Sequence, residues 1–161
     1  MTTGGLTTCL WFDGQAEEAA DFYLSVFKDG TRGRVSRYTE AGPGEPGSVL
    51  GVEFTVNGQK FVAINGGPEF TFNEAVSFQI PCADQAEVDY YWSRLAGNGG
   101  EEVQCGWLKD RFGVSWQVVP DALLDFLGDP DGAKAAATAR AMFTMKKLDI
   151  ASLTSAHAAS S

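Results

Sequence analysis

Histidine is nearly missing from this chain: among 161 residues there is one, His157, inside the small-residue segment LTSAHAASS. Histidine-based catalysis and most zinc sites need at least one ordered imidazole in the fold, and none is expected here. Cysteine is almost as scarce. Cys9, Cys82 and Cys105 are odd in number, far apart and free of any CxxC pair, which argues against a disulfide framework or zinc knuckle and for a reducing, cytoplasmic setting. Positive charge is short as well, with 12 Lys+Arg against 21 Asp+Glu and a net charge of −9. That balance opposes binding to nucleic acid or an anionic membrane. Apolar runs extend only a few residues, far below the ~20 that cross a bilayer. The start MTTGGLTTC has neither a basic n-region nor an apolar h-region, so no membrane span or signal peptide is expected.

What the chain does have is apolar material for a core: 44% hydrophobic and 12% aromatic residues against 20% charged. That is enough to offset chain entropy, and the length suits one domain or two small fused modules. Residues 6–12 read as a strand. Residues 15–27 carry apolar side chains at 16, 19, 20, 23, 24 and 27, a helical stripe. Strands are predicted at 34–39, 49–56 and 59–64, with Asn57-Gly58 as a two-residue hairpin turn. After Gly66-Gly67-Pro68 the order starts again: a strand at 75–81, a helix capped by Asp84 and running to Leu95, then strands at 101–104, 107–112 and 114–119. Gln15-Ala16-Glu17 recurs as Gln85-Ala86-Glu87, 70 residues on. Letters and element order together predict a duplication. Helices at 122–127 and 133–145 follow, and Asp149 can cap a last one before a frayed tail.

Strand alternation then sorts side chains to two faces. Val76, Phe78 and Ile80, Val114, Trp116 and Val118, and Val52, Phe54 and Val56 point to the helices. Leu6, Thr8, Leu10 and Phe12 join them. The opposite face holds Thr7, Cys9, Trp11, Glu53, Thr55, Ser77, Gln79, Ser115 and Gln117. Such a face is either solvated or, if the two modules close on each other, the lining of a cavity.

The duplicated βαβββ pattern resembles the vicinal oxygen chelate superfamily over residues 5–120. Leu10-Trp11-Phe12-Asp13-Gly14-Gln15-Ala16-Glu17-Glu18-Ala19 with Phe22-Tyr23, the run from Gly106-Trp107-Leu108-Lys109-Asp110-Arg111 through Phe112-Gly113-Val114-Ser115-Trp116-Gln117, and Met145-Lys146-Lys147-Leu148-Asp149-Ile150 are similar to its PhnB-like branch, which carries the label 3-demethylubiquinone-9 3-methyltransferase. The resemblance implies an α+β fold in which two βαβββ modules form a curved mixed sheet with a U-shaped cleft, plus C-terminal helices. It implies one domain over 1–128, built from modules 5–66 and 73–120, with a helical extension and tail at 129–161. It also implies a homodimer and an ancestral divalent-metal site. The ligand positions of that site fall on Thr7, Ser77, Gln117 and Ala63 or Asn65, and the Gly51 position often holds histidine in relatives. None of these residues matches the ligand pattern, so no metal and no cofactor are expected. Methyltransferase activity is not expected either, because no strand–GxGxG–helix unit is present; Gly97-Asn98-Gly99-Gly100 follows a helix.

Each candidate has two readings. Glu53 is a general base or the partner of a basic residue such as Arg37. Trp11 and Trp107 stack on a flat ligand or pack at an interface or in the core; Trp116 belongs to the core. Lys109 and Arg111, on one strand face, hold an anionic group or form surface ion pairs. Cys9 is a nucleophile or, lacking a histidine neighbour, a buried inert thiol. Ser77, Gln79 and Gln117 suit recognition of a carbonyl or hydroxyl. The expected ligand-binding set is Trp11, Glu53, Ser77, Gln79, Trp107, Lys109 and Gln117, with Glu53 the one catalytic candidate. Three functions compete: a metal-free binder of a small organic molecule; an enzyme of the lyase, isomerase or oxygenase type on a small oxygenated substrate; and a structural homodimer whose cleft is closed.

Overall fold

The computed structural model describes residues 4–160. The chain divides into two compact units, one ending at Thr71 and one starting at Phe72. The first contains β1 (Thr7–Phe12), α1 (Ala16–Val26), β2 (Thr31–Arg37), β3 (Val49–Val56) and β4 (Gln59–Asn65). The second repeats the order as β5 (Ser77–Cys82), α2 (Gln85–Ala96), β6 (Glu101–Glu102), β7 (Trp107–Lys109) and β8 (Ser115–Pro120). It then adds α3 (Asp121–Leu127), α4 (Gly132–Met142) and α5 (Ile150–Ala159). Each unit holds one four-stranded mixed sheet, ordered β1-β4-β3-β2 and β5-β8-β7-β6. In both, the first strand runs parallel to the last and the other pairs are antiparallel. The repeat predicted from Gln15-Ala16-Glu17 and Gln85-Ala86-Glu87 is therefore a repeat of topology.

In the first unit, α1 lays Ala16, Ala19, Ala20, Tyr23 and Val26 on the sheet, all buried. Small residues let the helix come close, and Tyr23 stacks on Phe54, which stacks on Phe61 at 5.2 Å. Asn65 joins three elements: its Oδ1 accepts from the Ala16 N–H at 2.9 Å and its Nδ2 donates to the Val49 carbonyl at 3.1 Å. The Asn57-Gly58 turn has both residues at positive φ, 50° and 77°, the conformation that a tight hairpin matching the strand twist requires. Leu6 and Val76, expected on the helix-facing side, lie just outside β1 and β5 and are 97% and 65% exposed.

In the second unit, Asp84 caps α2 by accepting from the Glu87 N–H, and Glu87 reaches back to the Ala83 N–H, both at 2.9 Å. The β7–β8 hairpin is organised by Asp110, which is 3% exposed. Its carboxylate accepts from the N–H groups of Phe112 (2.9 Å) and Val114 (3.1 Å) and from the Trp116 indole (2.9 Å). Because Asp110 takes those two backbone donors, the strand predicted to reach residue 112 ends at Lys109. Arg111 then lies in the turn, its guanidinium 4.9 Å from the Phe112 ring, and does not share a strand face with Lys109.

The last helix, expected from its Asp149 cap, runs through Ala159 and takes in most of the small-residue tail. Asp149 caps it by accepting from the Ser152 N–H at 2.7 Å. Leu148 and Leu153 are fully buried with Val119 and Leu123. The preceding loop is tied down through the Cys105 and Gly106 N–H groups, which donate to the Met145 and Lys146 carbonyls at 2.8 Å each. His157, expected in an unstructured segment, stacks on Phe126 and meets Asp129 Oδ2 at 2.8 Å.

Replacing Asp110 with alanine strands several buried donors, each worth ~1–3 kcal/mol. A fall of ~3 kcal/mol or more in unfolding free energy is expected from urea titration, with little change in slope. The Asp131 N–H and then His157 hold the Asp129 carboxyl below the usual carboxylate range; hydrogen bonds from Ser152 do the same for Asp149. A carboxyl lowered on folding stabilises above its unfolded pKa, ~3.9, and that contribution disappears as pH falls through the folded value. Helical circular dichroism should therefore decline with acidification below about pH 4, and Asp129→Asn should flatten part of that decline.

Candidate ligand-binding face

Strand register in the second unit brings several of the expected residues together. Ser77, Ser115, Lys109 and Glu101 form one row across β5, β8, β7 and β6; Gln79, Gln117 and Trp107 form the adjacent row. Residues in register share a face, so Ser77, Gln79, Trp107, Lys109 and Gln117 line one side of one sheet. The other side carries Ile80, Leu108, Trp116 and Val118, all buried. Gln117 Nε2 donates to Ser77 Oγ at 2.8 Å, and Gln79 Nε2 approaches Gln117 Oε1 at 3.5 Å. Lys109 is ion-paired with Glu74. The hydrogen bond between them raises the lysine's pKa and lowers the glutamate's. Ser115 is 2% exposed, and its hydroxyl has no hydrogen-bond partner among the described residues.

Trp11 and Glu53 belong to the first unit. Glu53 stands in register with Val62 and Cys9, one row from Trp11, Ile64 and Gly51. Its partner is Arg34 at 2.9 Å, not Arg37, and the two side chains are 46% and 79% exposed. The β2–β3 register shifts between Arg32 and Val35 and again at Arg37. That irregularity turns Arg34 toward Glu53, while Arg37 donates to the Gly47 carbonyl at 3.1 Å. Gly33 permits the close passage, since a Cβ there would lie 3.0 Å from that of Glu53. Glu53, Thr7, Thr31, Thr55 and Lys60 border a cavity of about 310 Å³. Cys9 is exposed rather than buried, and what burial it has pushes its thiol pKa up, away from the nucleophilic thiolate.

Trp11 donates its indole N–H to the Gly67 carbonyl at 2.8 Å and meets Phe70 edge-on at 5.0 Å. It walls a second cavity of about 400 Å³ with Arg37, Tyr38, Pro43, Leu50 and Ile64. Tyr38, whose hydroxyl donates to the Asn65 carbonyl at 2.5 Å, was not anticipated. The Gly- and Pro-rich stretch at 42–47 reads as a plain turn, and nothing local says that it folds back on this tyrosine.

The positions that the resemblance assigns to metal ligands do not fit a divalent metal. Ala63 is buried and has no donor, and Asn65 is committed to Ala16 and Val49. Ser77 and Gln117 bond each other; Thr7 contributes only a hydroxyl. Among the described residues no group of three or more His, Cys, Asp or Glu side chains is gathered to hold a metal ion. Neutral hydroxyls and amides are weak ligands without charged help.

Two βαβββ repeats with this strand order define a vicinal oxygen chelate fold. The fosfomycin resistance protein FosX of Listeria monocytogenes shares it, at 17% identity over 80% of this chain and 100% of that one, TM-score 0.55. The family model described as 3-demethylubiquinone-9 3-methyltransferase matches residues 4–119, and the chain belongs to this PhnB-like family. A Bacillus cereus structure described as a putative 3-demethylubiquinone-9 3-methyltransferase, PhnB protein, is 38% identical over 73% of this chain and 99% of its own, TM-score 0.65. A Pseudomonas aeruginosa protein is 20% identical over 73% and 98%, TM-score 0.59. No curated protein matches the chain. Among the described residues no helix is long and apolar enough to cross a membrane.

Ser115→Ala removes a buried hydroxyl that has no partner among the described residues. Such groups cost ~1–3 kcal/mol, so the variant should be more stable by about 1 kcal/mol, read from its urea midpoint.

Proposed function

We propose that the chain binds a small organic molecule, without a resident metal or cofactor, on the polar sheet face that carries Ser77, Gln79, Trp107, Lys109 and Gln117 in the second unit; Trp11 and Glu53 are ligand-contact candidates of the first unit, taken by itself. The observation that carries this reading is the pair of in-register rows on β5, β8 and β7. They set amide and hydroxyl groups beside an indole, the mixture of precise polar contacts and apolar wall typical of ligand sites. Ser77 and Gln117 already bond each other, and such a pair can turn to a carbonyl or hydroxyl of a ligand without any proton transfer. The family's methyltransferase label has no support from a glycine-rich cofactor turn. An enzyme using Glu53 as base has less support than a binder, because Arg34 engages that carboxylate. A homodimer in a reducing cytoplasm completes the proposal; the exposed Phe70 and Val76 and the free Cys9, Cys82 and Cys105 support those two parts.

Native mass spectrometry with elemental analysis, on protein purified without chelator, tests the reading. The expected result is a metal-free dimer at micromolar concentration, with any additional mass identifying a co-purified organic ligand. A stoichiometric metal would overturn the metal-free site, and a monomeric mass would overturn the dimer.

A further inference from the structure

Ser115 lies between Ser77 on β5 and Lys109 on β7, in one row. Lys109 pairs with Glu74, which sits in a turn three residues before β5 begins. The lysine ammonium of this row is therefore already matched to a carboxylate from outside the sheet. In the same row the Ser115 hydroxyl is buried and has no hydrogen-bond partner among the described residues. A buried hydroxyl in that state is costly unless something takes its proton. Ser77 Oγ accepts from Gln117, which leaves its own proton to give. The row thus carries two hydroxyls and an ammonium, and the carboxylate that now engages the ammonium is that of Glu74, on a side chain 55% exposed and outside any helix or strand.

We propose that this row is the subsite for a carboxylate group of the bound molecule, and that Glu74 fills it as an internal stand-in which the ligand displaces. The proposal rests on the small-molecule reading above and specifies the ligand's chemistry. Two hydroxyls and an ammonium in one row suit a planar, singly charged oxygen pair. A doubly charged phosphate is disfavoured by Glu101 at the end of the same row and by the net charge of −9. Glu74 sets a threshold: a neutral molecule cannot replace it on Lys109, whereas a carboxylate exchanges like for like.

The test is a protein-observed NMR titration of the full chain with acetate, and with acetamide as the neutral probe. Saturable acetate shifts are expected at the Ser77, Lys109 and Ser115 amides. Glu74→Gln should bind acetate about two- to fivefold more tightly, the range that exposed ion pairs contribute. Lys109→Met should weaken it by about tenfold or more, as loss of a charged hydrogen bond does. Ser115→Ala should weaken it while its Tm holds or rises, a combination that a purely structural serine would not give. Equal acetate affinity in wild type and Lys109→Met, or no tightening in Glu74→Gln, would overturn the proposal. Shifts from acetamide alone at Ser77 and Gln117 would overturn it while leaving the ligand-binding face standing. Silence from both probes, with no co-purified mass, would remove both.

Discussion

A buried carboxylate in a β-turn governs the second half of this molecule. Asp110 accepts from two backbone N–H groups of its own turn and from the indole of Trp116, and each bond answers a different question. The backbone bonds decide where β7 stops and β8 begins. The indole bond ties the turn to the core, because Trp116 lies on the face that packs toward α2. Once the turn is set, Lys109 must face Ser115 and Trp107 must face Gln117. A slip of one residue would send these side chains into the core and bring Leu108 and Trp116 to the surface. The composition of the candidate site is therefore a consequence of how the aspartate next to Lys109 is satisfied.

The two units solve the same topological problem with different chemistry. In the first, Asn65 ends the last strand and binds the helix start and the neighbouring strand. In the second, Gln85 at the start of α2 exchanges hydrogen bonds with the C-terminal segment, accepting from the Ile150 N–H at 2.8 Å and donating to the Leu148 carbonyl at 3.1 Å. The C-terminal helices thus dock on the second repeat through main-chain contacts and a small leucine-rich cluster. The polar face of the second sheet is rich in neutral donors, while that of the first sets Glu53 against Arg34. Duplication preserved the scaffold and left the faces free to diverge, since scaffold residues and face residues alternate along every strand.

Much of the fold was legible because its signals are short-range. Alternation located the polar faces, Asn57-Gly58 located a hairpin, Asp84 and Asp149 announced helix starts, and the 70-residue recurrence announced the second unit. What resisted reading depended on partners distant in sequence. Glu53 was matched with a basic residue of the neighbouring strand such as Arg37; the register shift between Arg32 and Val35 sets Arg34 there instead. Leu6 and Val76 obey the alternation but fall beyond the ends of their strands. Arg111 left its strand because Asp110 captured the donors that would have extended it. His157 looked adrift among small residues, and only the ring of Phe126 and the carboxylate of Asp129 give it a place.

From its residues alone the chain determines its class, its duplicated element order, the side of each strand that is polar, and its poverty in metal-binding side chains. Those properties follow from local periodicity and from composition, which act over a few residues or over the chain as a whole. Only the tertiary structure decides that Ser77, Ser115 and Lys109 share a row, that Glu74 pairs with that lysine, and that the Ser115 hydroxyl has no partner among the described residues. Register between strands is a choice among many nearly equal pairings. It is settled by the packing of the opposite face and by the turn that Asp110 holds, and neither is written in the few residues that the row brings together.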